Sequence, residues 1–343
     1  MNRPARLTPE FPTGELIVGA LPRTEASSGM SRFVPVIGVV MMVSVGAVVW
    51  GSGLGSRGPA AVLLPAMMLV SAIGMALHAG ARRNGTSLDR DRRSYLAHLD
   101  RLGEQLQEAA HRQRAALQWV HPAPATLWTL LGETRMWERR DTDLDFCHVR
   151  VGVGRQRLAL RMVLPPVGPV DDLDPVIADA LRRLVHGHAA LDDLPVAVAL
   201  RGVGVLTVEG DPEGARSLVR AMVCQLAVFH NPKTVVITAA VAAEHRHEWD
   251  WLKWLPHSAD PDGHGRNRVV VVDGVDHRPH LNPAATVIAV GDVHAAADAL
   301  RIRVEGETLA VRTGEIVEEF ATADGMTITQ ARVVRPPHGA APG

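Results

Sequence analysis

Residues 207–218 read TVEGDPEGARSL, a short β-prone run closing on Gly210 and followed by the long apolar stretch SLVRAMVCQLAVFH. A phosphate-binding loop follows the pattern G-x-x-x-x-G-K-[ST] between a strand and a helix. Gly210 and Ser217 fit that spacing, but Ala215 and Arg216 stand where the second glycine and the lysine belong. The strand, the turn and the helix give the shape of such a loop, with backbone N–H groups at the helix start open to an anion. The chemistry is subtracted. Ala215 crowds the approach to phosphate, no lysine supplies a compact charge, and Asp211 with Glu213 adds two negative charges that repel a polyphosphate.

Asp273 ends the run NRVVVVD, the form of the second nucleotide motif, whose carboxylate helps to hold magnesium at the phosphates. Gly210, Gly214, Arg216, Ser217 and Asp273 therefore form the candidate nucleotide-binding set, with no catalytic residue and no metal site among them. Around them, VAVAL, VGVLTV, TVVIT, VVVVD and TVIAV read as strands, and PVIADALRRLVHG and SLVRAMVCQLAVFH as helices. Apolar strands alternating with helices imply an α/β domain with a mostly parallel sheet covered on both faces. Its ligands would bind at the carboxyl ends of the strands. Upstream, Val149, Val151 and Val153 alternate with other residues, as do Leu158, Leu160 and Met162 after GRQR, and together they read as a β-hairpin.

At 343 residues, with 47% hydrophobic and 21% charged, the chain holds about two domains and enough apolar material for a sizeable core. A net charge of -1, five Phe and one Tyr exclude a basic, aromatic-interleaved nucleic-acid surface. Cys147 and Cys224 lie far apart in apolar segments, which suits buried thiols in a reducing compartment.

The apolar residues are unevenly spread. FVPVIGVVMMVSVGAVVWG (33–51) and AAVLLPAMMLVSAIGMALHA (60–79) carry no charge, and each is about the 20 residues that a helix needs to cross a bilayer. The loop between them is too short for a domain, so they read as a transmembrane hairpin. Arg3, Arg6, Arg23 and Arg32 precede the first span, Arg82, Arg83, Arg90, Arg92 and Arg93 follow the second, and Arg57 lies between them. This asymmetry places both ends in the cytoplasm. From Ser87 to Trp119 a long helix carries Leu88, Tyr95, Leu99, Leu102, Leu106, Ala109 and Ala116 on one narrow seam, interrupted by Arg92 and Gln113. Leu99, Leu102 and Leu106 are its expected partner-binding residues, because a narrow apolar seam on a solvated helix needs a cover. HPAPATLWTLLG (121–132) then breaks the helix and reads as a shorter helix folding back beside the stalk.

The stretch EHRHEWDWLKWLPH (244–257) places Trp249, Trp251 and Trp254 close together in a chain with 4% aromatics. Such density suggests anchors of a packed interface, within the chain or with a partner. His245, His247 and His257 lack the third and fourth partners that a zinc site requires.

These residues together resemble the EccC family, the membrane-anchored FtsK/SpoIIIE-type ATPases of mycobacterial type VII (ESX) secretion systems. The resemblance rests on RPARLTPEFPTGEL, the membrane hairpin, RRSYLAHLDRL, TRMWERRDTDLDFCHVRVGVG and, most specifically, EWDWLKWLPH. It implies a cytosolic N-terminal segment (1–32), a membrane hairpin (33–80), a helical stalk (81–134), a degenerate ATPase-like domain (135–335) and a linker (336–343). It also implies the other membrane components EccB, EccD and EccE as partners, a homo-oligomer formed through the complex, and a plasma-membrane location with two passes. ATP, magnesium and exported proteins are expected at three further motor domains that follow in the family and are absent here. Two other functions stay open: an ATPase whose altered loop still binds or hydrolyses ATP, and an FtsK-like DNA translocase, which the absence of a basic surface disfavours.

Overall fold

The computed structural model describes residues 6, 8–19, 60–164, 174–258, 267–275, 285–291, 299–313 and 316–334. Side chains are described at these positions except residue 313 and, within 60–88, all but Ser71 and Gly74. Two compact units are present: Met1–Pro12 with Ala110–Ala159 and Ala190–Gly343, and Thr13–Ala109 with Leu160–Ala189.

In chain order the elements are β1 (Glu15–Ile17), α1 (Ala60–Val120), β2 (His148–Arg157), β3 (Arg161–Val163), α2 (Pro175–His188), β4 (Ala190–Ala199), β5 (Val205–Gly210), α3 (Pro212–Phe229), β6 (Val235–Val241), α4 (Arg246–Trp249), β7 (Asn267–Asp273), β8 (Thr286–Val290), β9 (Leu300–Glu305), β10 (Thr308–Thr313), β11 (Ile316–Ala323) and α5 (Ile328–Val333). Among the described residues no helix is long and apolar enough to cross a membrane. The stretch 33–51 lies outside the described residues; for 60–79 the helical backbone is described but, Ser71 and Gly74 apart, the side chains are not.

The larger unit is built on a nine-stranded sheet of order β4-β2-β11-β10-β9-β5-β8-β7-β6. Strands β9, β5, β8, β7 and β6 run parallel to one another. From β9 through β10, β11, β2 and β4 every pairing is antiparallel. The sheet is thus α/β as expected but mixed rather than mostly parallel throughout. The expected hairpin is also absent: β2 pairs with β4 and β11, while β3 pairs in parallel with β1 in the other unit. Alternation marks β2 and β3 as strands, but their partners come from distant chain.

Helix α3 is the centre of this unit. Every residue from Leu218 to Phe229 is buried, as befits a helix that is apolar on nearly all sides and covered all round. The stretch after Pro122 does form a shorter helix, of the 3-10 type, Pro124–Leu130, and its Leu127 is fully buried in the same core as α3. Trp249, Trp251, Leu252 and Leu255 complete that core.

In the smaller unit, Tyr95, Leu99 and Leu102 of α1 are buried together with Val18 and Ile177. The β1–β3 pairing and a bond from Tyr95 Oη to Gly19 O (3.1 Å) hold the N-terminal segment in place. Helix α2 starts on Asp174, which caps Val176 N and accepts from Arg92 at 2.6 and 2.9 Å. The cover of the stalk seam at Leu99 and Leu102 is therefore intramolecular, and Leu106 is also fully buried, where the sequence pointed to a partner protein. The two polar interruptions are satisfied as well: Arg92 by Asp174, and Gln113, in the larger unit, by Arg157 O (3.0 Å) and Ala159 N (2.8 Å).

Candidate functional site

The parallel half of the sheet reverses direction at β5. The chain leaves β5 for β6 at the edge, returns through β7 and β8, and then crosses to β9 on β5's other side. Crevices at such a switch point, at the carboxyl ends of the strands, are where α/β folds bind ligands. Gly210 ends β5 and Asp273 ends β7, so the topology brings the two motifs to one end of the sheet.

Gly210 turns the chain with φ +101, and a Cβ there would sit 2.0 Å from Val304 O, so only glycine fits. Asp211 follows as N-cap, accepting from Gly214 N at 2.8 Å, with Pro212 in the first turn. Helix α3 therefore begins at Pro212, inside the motif, and residues 212–217 are helical rather than wrapped around an anion. Ala215 is fully buried.

Arg216 turns onto Asp273 in a two-point contact, Nε to Oδ2 at 2.8 Å and Nη2 to Oδ1 at 3.2 Å. Trp249 Nε1 donates to the same Oδ2 at 2.9 Å, and His245 Nε2 lies 3.9 Å from Oδ1. Burial works to raise the Asp273 carboxyl, but the bonds from Arg216 and Trp249 and the Arg216 charge outweigh it, leaving the group below the usual carboxylate range. The bond to Asp273 in turn raises Arg216. Ser217 Oγ donates to Met326 O at 3.2 Å.

The five sequence-predicted residues thus share one locality, and the polar groups among them are engaged within the chain. The groups that a magnesium-bound polyphosphate would use are already engaged here: the Asp273 carboxylate by Arg216 and Trp249, the Ser217 hydroxyl by Met326 O, and the Gly214 N–H by Asp211.

A buried arginine adjoins the site and is absent from the sequence reading. Arg220 is fully buried and donates from Nε to Met326 O (2.8 Å), from Nη1 to Glu248 (3.0 Å) and from Nη2 to Glu213 (2.5 Å). Its signal was available as a single cation in an otherwise apolar helix run. Of the three tryptophans, Trp249 and Trp251 are core residues, and Trp254 is 50% exposed. The interface that Trp249 and Trp251 anchor is internal. His257 is buried, with Nε2 2.8 Å from His230 O.

No family model matches the chain. The ESX-4 secretion system protein EccC4 of Mycobacterium tuberculosis is 42% identical over 258 residues, 74% of this chain and 21% of that protein. The ESX secretion system protein EccC of Thermomonospora curvata is 36% identical over 284 residues, 81% of this chain and 22% of that protein. The chain spans about a fifth of the length of these relatives. The solved cytoplasmic domain of the Thermomonospora curvata Type VII Secretion ATPase EccC superposes over 60% of this chain and 33% of that one with a TM-score of 0.33 at 11% identity, too loosely to bear on the fold.

Proposed function

The chain belongs with the EccC proteins of ESX secretion systems over most of its length, and on that premise we propose that it is the membrane-anchoring and coupling part of a type VII secretion motor. In this role it joins the plasma-membrane translocation complex to ATPase domains that drive protein export.

The observation that carries this reading is the placement of the N-terminal segment. Arg6 Nη1 donates to both carboxylate oxygens of Asp145 at 2.8 Å, and Arg6 Nη2 lies 3.5 Å from Glu138. Farther on, β1 pairs with β3, and Val18 is buried against Tyr95, Leu99 and Ile177. Residues before the first uncharged stretch are thus built into the same compact units as residues after the second. Two such regions must lie on one side of any bilayer, which requires an even number of crossings between Gly19 and Asp89. Two uncharged stretches, 33–51 and 60–79, supply them. A pull on the hairpin then acts on the cytosolic units from both of its ends. EccB, EccD and EccE are the partners of the hairpin in this reading, copies of the chain assemble through the complex, exported proteins engage the motor domains, and nucleic acid has no part.

Cysteines placed at Ser52 or Ser56 are expected to react with an impermeant reagent outside intact cells, and one at Ser87 is not. Labelling at Ser87, or none at the loop, overturns the anchoring. The closed Arg216–Asp273 pair supports a second expectation. The full chain in nanodiscs should show no magnesium-dependent ATP turnover that Asp273→Asn removes; turnover lost on that substitution would make this domain an active motor module.

A further inference from the structure

Trp254, 50% exposed, lines a cleft of about 270 Å³ together with Asp250, Trp251, Lys253, Leu255, Ala331 and Arg332, and Val333 at the end of α5 is 59% exposed. We propose that this cleft receives the Ile316–Glu319 end of β11 from a second copy of the same chain.

Two features match across the pair. Trp254 in the cleft and Val333, next in the chain to its lining residue Arg332, are each at least half exposed, and so are Ile316 (70% exposed) and Val317 (53%). Half-exposed aromatic and aliphatic groups gathered at one place mark interaction surfaces rather than ordinary surface. The charges also complement. The cleft carries Lys253 and Arg332 against one carboxylate, Asp250, 4.0 Å from Lys253. The strand end carries Glu318 and Glu319, both exposed, with Arg312 opposite Val317 on β10.

One copy cannot satisfy both halves of this contact. Ile316 begins β11 and α5 follows its other end, so the two patches are separated by an eight-residue strand, about 26 Å at 3.3 Å per residue. Self-contact of either patch is disfavoured by the same charges. Cleft against cleft opposes Lys253 and Arg332 to their own copies, and strand end against strand end opposes the glutamates. What remains is cleft against strand end, made once in a head-to-tail contact that closes into a ring or extends as a filament, or made twice about a two-fold axis. The contact goes beyond anchoring and coupling: it assigns the surface through which copies of the motor's membrane-proximal part meet.

The test uses two differently tagged full-length copies in native membranes, one carrying Asp250→Cys and the other Val317→Cys, under mild oxidation. Both sites are exposed, and Cys147 and Cys224 are buried. The expected result is a mixed-tag cross-link at least about ten-fold above that from Trp128→Cys paired with Val317→Cys. Trp254→Ala and the double change Glu318→Lys with Glu319→Lys should each weaken the cross-link. Adding Lys253→Glu and Arg332→Glu on the other copy should restore the charge-reversed pair. No mixed-tag cross-link, a yield equal to the Trp128 control, or indifference to charge reversal would overturn the proposal, because any other occupant of the cleft predicts one of these outcomes.

Discussion

Arg220→Met is expected to lower the unfolding free energy by about 3–5 kcal/mol, the cost of breaking a buried ion pair from one side. Against a typical domain stability of about 5–15 kcal/mol, that is enough to leave much of the protein unfolded at modest denaturant. Methionine occupies much of the arginine's length, so the loss is not chiefly a cavity. It is the Glu248 carboxylate, whose side chain is 11% exposed, left with His247 at 3.0 Å and the more distant charge of Arg216, together with the carbonyl of Met326. Glu213 is well exposed and returns to water at little cost. If the uncompensated carboxylate is the cause, Arg220→Met combined with Glu248→Met should recover most of the loss, since apolar groups of similar volume often replace buried pairs without penalty. Guanidinium denaturation of the detergent-solubilised chain, followed by tryptophan fluorescence, measures both. Equal destabilisation of the single and double variants would refute the account. Arg216→Ala should cost less, about 1–3 kcal/mol, because Asp273 keeps the Trp249 bond.

How far these contacts could be read in advance depends on their range. The runs TVVIT, VVVVD and TVIAV announce themselves because strands buried on both faces are continuously apolar. Gly210 and Asp273 were legible because each is a local motif, a glycine at a forced turn and an acid at a strand end. The closure of their site was not: Arg216 and Asp273 are 57 residues apart, and nothing in either neighbourhood names the other. The same limit explains β2 and β3. Alternation marked both as strands, but pairing was decided by β11, far downstream, and by β1, only three residues long. The stalk seam was visible in the spacing of Leu99 and Leu102, whereas its cover, Val18 and Ile177, lies on segments too short or too distant to suggest contact.

Acid should unfold the larger unit well above the carboxylate range. Three histidines in it are buried and neutral. Burial, aided by the nearby Arg139, lowers His121 and His230 to about 3, and burial lowers His257 to about 4. The geometry of His230 shows why. Its Nδ1 lies 3.1 Å from Leu226 O while Nε2 accepts from Cys147 N at 2.9 Å, so a second proton would have to replace an accepted bond. In the unfolded chain each ring takes a proton near pH 6.5; in the folded chain it does so only near pH 3 to 4. Between those values the unfolded state binds more protons, so stability is complete above about pH 6.5 and falls as the pH falls. The slope is about 1.4 kcal/mol per pH unit for each histidine. From pH 7 to pH 5 that amounts to about 2 kcal/mol each and about 6 kcal/mol for the three, close to the whole stability of a marginal domain. Asp145 and Asp273, both held low, add further losses below about pH 4, and Asp324, which burial raises despite Arg150, works in the opposite direction. His257→Gln retains a donor for His230 O but no group that titrates here, so it should flatten the pH 7 to 5 slope by about one third. Denaturation midpoints that stay constant over that range, or a slope unchanged in His257→Gln, would show that these rings are not neutral in the folded chain.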